Sequence, residues 1–145
     1  MDIKTKGVIG YTAGTFDMFH IGHLNLLERA KEHCDFLIVG INSDKLVEAY
    51  KKKSVIVTLE ERMKIVRSIR YVDKTIAVES LEKRPYWDML QFNKLFIGSD
   101  WIGNSRWDAT KVEMESLGVE LIYLPYTKST SSTVLRERLM ETLLF

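Results

Sequence analysis

Apolar side chains cluster in five short runs, Gly7 to Ala13, Phe36 to Ile41, Lys74 to Val78, Lys94 to Gly98 and Val119 to Leu124. The stretches between them carry helical spacing or loop composition. Leu24, Leu27 and Ala30 repeat at three-residue intervals, and Leu59, Met63, Val66 and Ile69 form a second apolar stripe, each suited to the inward face of a helix. Thr58 with Glu61 reads as a capping box that starts the second of these helices. Ser43 or Asp44 caps a short helix through Tyr50, Pro85 suits a first helical position with Trp87 and Leu90 packing inward, and Val134, Leu135 and Leu139 mark a last helix. Strands alternating with helices predict an α/β fold, a parallel five-stranded sheet with helices on both faces. Ligands in such folds bind beyond the carboxyl ends of the strands, at the point where the strand order reverses.

Length and composition narrow this picture. The 145 residues, 46% of them hydrophobic, suffice for one good core, so residues 1–145 are expected to form one domain. With 21 basic and 20 acidic residues the net charge is +1. There is thus no general basic footprint of the kind nucleic-acid binders carry, and any anion site must be local. The lone Cys34 has no disulfide partner, the segment Met1 to Lys6 lacks the apolar core of a signal peptide, and no apolar run reaches membrane-spanning length. A cytoplasmic protein with no membrane or nucleic-acid partner is expected.

The chemistry gathers after strand ends. Gly14 to His23 follows the first strand and opens a helix, so free backbone N–H groups point at the turn and favour a phosphate there. His20 and His23, three apart, converge on the same anion, and Gly22 between them permits close backbone approach. Zinc is the competing use of His-x-x-His. A closed site needs four ligands, however, and His33 and Cys34 fall about three turns further along the helix, so no metal site is assigned. Lys51, Lys52 and Lys53 form a cationic loop facing the same edge. Gly98 to Gly103 follows strand four, and its Trp101 either covers a ligand or plugs the loop onto the core. Ser129 to Thr133, five hydroxyl residues at a helix start, provide caps and phosphate donors together. Glu79 to Asn93 carries no functional signal.

The segment Gly14-Thr15-Phe16-Asp17-x-x-His20-x-Gly22-His23 resembles the signature of the cytidylyltransferase branch of the HIGH-motif nucleotidyltransferases, and the order of later motifs is similar to bacterial glycerol-phosphate cytidylyltransferases from about Val8 to Leu139. The resemblance implies a Rossmann-like fold and a homodimer. It also implies that His20, His23, Lys53 and Arg62 are catalytic, and that Thr15, Phe16, Lys53, Asp100, Trp101, Thr127, Ser131 and Ser132 join the histidines in binding nucleotide. Asp44, Lys52, Arg62 and Arg70 fall where the family binds its acceptor substrate. Which of Lys51, Lys52 and Lys53 meets the triphosphate is open, as is whether Ser43–Asp44 is more than a helix cap. Two departures stand out: Tyr126 replaces a phosphate-binding arginine of the family and Ser129 a glycine.

The reaction implied is transfer of CMP from CTP to a small alcohol phosphate, glycerol phosphate being favoured. The products are pyrophosphate and a CDP-alcohol that serves as precursor of a cell-surface polymer, teichoic acid or capsule. A phosphate monoester is mostly dianionic at neutral pH, so its attack needs no general base. Magnesium is expected with CTP, bridging the β- and γ-phosphates and held mainly by substrate and water. Two other readings remain: an ATP-dependent adenylyltransferase of the FAD-synthetase type, and a nucleotide-binding module that has lost catalysis.

Overall fold

A computed structural model describes residues 7–98, 105–125, 127 and 129–144. Five strands, β1 (Ile9–Gly14), β2 (Phe36–Asn42), β3 (Lys74–Val78), β4 (Lys94–Gly98) and β5 (Glu120–Leu124), form one sheet in the order β3-β2-β1-β4-β5. All neighbouring pairs are parallel, with Ile9 opposite Phe36, Gly10 opposite Lys94, Ile38 opposite Lys74 and Lys94 opposite Glu120. Six helices connect or follow them: α1 (Ile21–Glu32), α2 (Asp44–Lys51), α3 (Leu59–Arg67), α4 (Arg84–Leu90), α5 (Ser105–Ser116) and α6 (Ser132–Leu144). The fold is the Rossmann-like α/β arrangement expected. Its strand order reverses between β1 and β4, and that reversal locates the ligand crevice.

Successive strand residues point to opposite faces, which divides the core in two. On one face Ile9, Tyr11, Ile38 and Leu95 pack against Tyr86 and Leu90 of α4 and Trp107 and Met114 of α5. On the other, Leu37, Val39, Ile41 and Phe96 meet Leu27 and Ala30 of α1 and Val66 of α3, with Leu59, Met63 and Ile69 at the margin. Burial of each large apolar side chain contributes about 1.5–3 kcal/mol. Because β2 is covered on both faces, it reads as an unbroken apolar run rather than an alternating one.

Element boundaries differ from expectation at the ends. β1 starts at Ile9 and β5 at Glu120, α2 extends to Lys51, and Pro85 is the second residue of α4. Helix α1 stops at Glu32, with His33 as its C-cap, so Cys34 lies beyond it. Ser43, not Asp44, caps α2, its hydroxyl accepting from the Leu46 N–H at 3.1 Å. Thr58 caps α3 by accepting from the Glu61 N–H at 3.5 Å. No described helix is long and apolar enough to cross a membrane.

Candidate active site

A cavity of about 470 Å³ opens over the carboxyl ends of β1 and β4. Its rim is the turn between β1 and α1, which is unusually tight. Phe16 and Met18 take positive φ values of 53° and 50°, a conformation that costs a bulky residue energy and persists only where its surroundings enforce it. Here burial does so: the Phe16 ring, 4% exposed, packs 5.2 Å from the His23 ring, which also lies 5.3 Å from Phe19.

The two histidines occupy the cap of α1. His20 is the N-cap residue, its Nδ1 accepting the Gly22 N–H at 3.0 Å, while Nδ1 of His23 accepts the His20 N–H at 3.2 Å. This is a capping box in which two imidazoles replace the usual hydroxyl and carboxylate. An imidazole whose Nδ1 accepts carries its proton on Nε2 when neutral. Burial lowers the His20 pKa below its ordinary value. Burial, then the adjacent His20, pushes His23 down to about 3, with Asp17 opposing and Lys51 adding to the shift. Both rings are therefore neutral at pH 7 and present Nε2–H donors. A side chain at Gly22 would sit 2.8 Å from the His20 ring and 3.2 Å from the Thr130 carbonyl, so glycine lets α1 and the segment before α6 close together.

Asp17, 4% exposed, ties two segments to this turn, the Ile56–Val57 loop and α6. Its carboxylate accepts from the N–H groups of Ile56 at 2.8 Å and Val57 at 2.9 Å and from Arg136 at 2.7 Å, and its carbonyl accepts from the Ser132 hydroxyl at 2.8 Å. Burial alone would raise the Asp17 pKa, but these backbone bonds and Arg136 outweigh it and lower the value. Ser131 caps α6 through its hydroxyl, which accepts from the Val134 N–H at 3.1 Å, and Thr127 accepts from Asn25 of α1 at 3.3 Å. Thr15 joins Asn42 and Tyr50 in a hydroxyl–amide cluster at the ends of β1 and β2.

Of the residues expected from sequence, Thr15, Phe16, His20, His23, Lys53, Thr127, Ser131 and Ser132 all line the cavity. Asp100 and Trp101, like Tyr126, lie outside the described residues. Four others are placed differently. Arg62 is 1% exposed, and its guanidinium donates to the carbonyls of Val57, Thr15 and Asn42, each at 2.8 Å, and to Asp44 at 2.5 Å. The cation expected to contact phosphate is thus a buried strut joining β1, β2, α2 and α3, and Asp44 is its counter-ion rather than a cavity wall. Arg70 stacks on Tyr71 and borders a separate hollow with Leu24 and Ser68. Lys52, the left-handed C-cap of α2, is exposed off the cavity, whereas Lys51 and Lys53 face it. Asp17, although it stands inside the quoted motif, and Lys83, Arg106 and Arg136 also line the cavity, and no role was expected of them from sequence; Lys51, one of the three loop lysines left open there, lines it as well.

A strand-end cavity with paired neutral histidine donors, a hydroxyl-rich helix start and several cations is suited to a polyphosphate. Sequence comparison agrees: the profile of the cytidylyltransferase-like family matches residues 11–138. The chain belongs to this family. Glycerol-3-phosphate cytidylyltransferase of Bacillus subtilis (strain 168) is 38% identical over 136 residues, covering 92% of this chain and 97% of the relative. FAD synthase of Thermococcus kodakarensis is 30% identical over 152 residues and 98% of each chain. Among solved structures, the lipopolysaccharide core biosynthesis protein of Thermoplasma volcanium GSS1 shares the fold with a TM-score of 0.70 at 18% identity, over 86% of this chain and 99% of that one. This family member is a nucleotidyltransferase.

Proposed function

We propose that the protein transfers CMP from CTP to a small alcohol phosphate, glycerol phosphate being favoured, and releases pyrophosphate. The observation that carries this reading is the imidazole pair with both Nδ1 atoms turned to backbone N–H groups. That arrangement leaves two neutral Nε2–H donors at the start of α1, suited to oxygens that gain charge at the α-phosphorus. An oxygen of the acceptor phosphate attacks the α-phosphorus, the bond to the bridging α–β oxygen breaks, and pyrophosphate leaves with that electron pair. The attacking group is already ionised at neutral pH. The chain therefore acts by positioning and by electrostatic stabilisation.

Lys51 and Lys53, the Ser131–Thr133 helix start and Thr127 are the donors we assign to the triphosphate, with Thr15 and Phe16 shaping the turn beneath it. The cavity's described lining holds one carboxylate, Asp17, whose oxygens are already engaged. These residues do not fit a resident metal ion, so magnesium would arrive as part of the nucleotide complex. The same reading places the enzyme in the cytoplasm, where CTP is made, as a homodimer, with its CDP-alcohol feeding a cell-surface polymer.

The relation to an FAD synthase supports a second reading, adenylyl transfer from ATP. Pyrophosphate release, followed with each of four nucleoside triphosphates against a panel of alcohol phosphates and flavin mononucleotide, tests the two. CTP with glycerol phosphate is the productive pair expected. Release confined to ATP with the flavin would transfer the protein to the second reading.

A further inference from the structure

Thr15, Asn42 and Tyr50 line the cavity together at the carboxyl ends of β1 and β2, with Tyr50 supplied by α2. The Asn42 amide nitrogen donates to Thr15 Oγ1 at 3.4 Å and to the Tyr50 hydroxyl oxygen at 3.2 Å. The Lys51 ammonium donates to Thr15 Oγ1 at 3.5 Å, and the two hydroxyls bond each other at 3.1 Å. A hydroxyl has one proton and two lone pairs. Thr15 Oγ1 thus accepts twice, from Asn42 and Lys51, and its own proton goes to Tyr50. The Tyr50 oxygen then accepts from Asn42 and Thr15, which leaves its own O–H without an acceptor among the described residues. The Asn42 amide oxygen likewise accepts from no described residue. Asn42 is 6% exposed and Tyr50 half-buried, so a spare donor and a spare acceptor stand close together on a largely buried wall.

We propose that Tyr50 and Asn42 form a hydroxyl-recognition subsite for the acceptor, which makes the acceptor a polyol phosphate, one that carries a free hydroxyl besides its phosphate ester. The inference rests on the transferase reading and narrows its second substrate. An alcohol hydroxyl both donates and accepts, so it can take the Tyr50 proton and give its own to Asn42 Oδ1. An apolar or ammonium-bearing tail cannot do both. The ribose of a nucleotide also carries hydroxyls, but position favours the acceptor. Thr127 and Ser131–Thr133, assigned above to the nucleotide, follow β5, whereas the cluster sits on the β2 side of β1. Lys51, bonded to Thr15, is near enough to His23 to lower its pKa, which sets the subsite beside the imidazole pair. A buried donor left unmatched costs free energy, and a site built to bond a hydroxyl rejects an analogue that lacks one.

The test is steady-state pyrophosphate release with CTP and three acceptors, glycerol 3-phosphate, 3-hydroxypropyl phosphate and propyl phosphate, in the wild type and in Y50F. The series removes the acceptor's hydroxyls one at a time, and melting temperatures confirm that Y50F is folded. In the wild type kcat/KM should fall by about tenfold or more from glycerol 3-phosphate to propyl phosphate, roughly what one unmatched buried donor or acceptor costs. Y50F should shrink that preference to about threefold or less, because its loss falls on glycerol 3-phosphate. A merely structural tyrosine would lower all three acceptors by the same factor and keep the preference, which would overturn the proposal, as would a wild type without preference. A raised CTP KM with unchanged acceptor constants would assign the subsite to the ribose and overturn it too. Calorimetric titration of the nucleotide-free protein with glycerol 3-phosphate and with propyl phosphate separates this from failure of the transferase reading. If no nucleotide supports transfer, tighter binding of glycerol 3-phosphate that Y50F loses still upholds the subsite, and equal binding of the two phosphates refutes it.

Discussion

The imidazoles of His20 and His23 lie 3.9 Å apart between ring centroids, and each directs Nδ1 to a backbone N–H of the same helix start. One side chain thereby does two things: it caps α1 and fixes its own tautomer. The two roles separate by substitution. His20→Ala should cost about 1 kcal/mol of stability through the lost cap and roughly 100-fold to 1,000-fold in turnover through the lost donor. Asparagine is a good N-cap, so His20→Asn should keep the melting temperature while still losing turnover. Normal turnover in His20→Asn would take the Nε2–H out of the reaction.

Acid should destabilise the fold in a defined window. His23 ionises at about 3 in the folded chain against 6.5 when unfolded. Below 6.5 the unfolded state binds a proton that the folded state refuses, so stability falls as pH drops from about 6.5 towards 3. Asp17 adds to this at the acid end. Its folded pKa lies below 3.8, so its contribution is present above that value and lost as pH falls through the folded one. Urea unfolding at pH 7, 5 and 4 checks the account. The wild type should weaken steadily, and His23→Asn should flatten the slope between pH 6.5 and 4; an unchanged slope would mean His23 is not held neutral.

Arg62 should behave as a structural residue. Removing it leaves three carbonyls and the half-exposed Asp44 carboxylate without their donor, and each buried acceptor left unsatisfied typically costs about 1–3 kcal/mol. Arg62→Met should accordingly lower the melting temperature strongly, whereas Arg70→Met, on the surface beside Tyr71, should leave it unchanged. Loss of substrate affinity in Arg62→Met at undiminished stability would contradict the assignment.

These contrasts show what the chain made legible. The sheet was readable because the apolar runs that begin at Gly7, Phe36, Lys74, Lys94 and Val119 each contain a strand, and the His20–His23 turn because local spacing alone puts both rings at one helix start. Arg62 was misplaced because its burial depends on carbonyls 47 and 20 residues away in sequence. Nothing local distinguishes such a guanidinium from one awaiting phosphate. Lys83 was missed for the opposite reason: its segment has no motif, and its place on the cavity follows from the crossover between β3 and β4, which lie on opposite sides of β1.

The Asp17–Arg136 pair should couple the turn to α6. A double-mutant cycle of Asp17→Asn and Arg136→Met, read by urea unfolding, is expected to give a coupling of about 0.5–3 kcal/mol, the range for contacting residues in one network. Additive effects would show that the pair holds nothing together.

Two chains should associate. Sedimentation equilibrium is expected to return about twice the 16.9 kDa chain mass, and a mass equal to one chain would refute the homodimer.

The nucleotide choice is the centre of the account. With magnesium present, kcat/KM for CTP and for ATP should be measured at saturating glycerol 3-phosphate, with the product identified by mass. A CDP-glycerol product and a CTP preference of at least about 100-fold, equivalent to roughly 2.8 kcal/mol, is the predicted result. An adenylylated product formed at comparable or greater efficiency would contradict it.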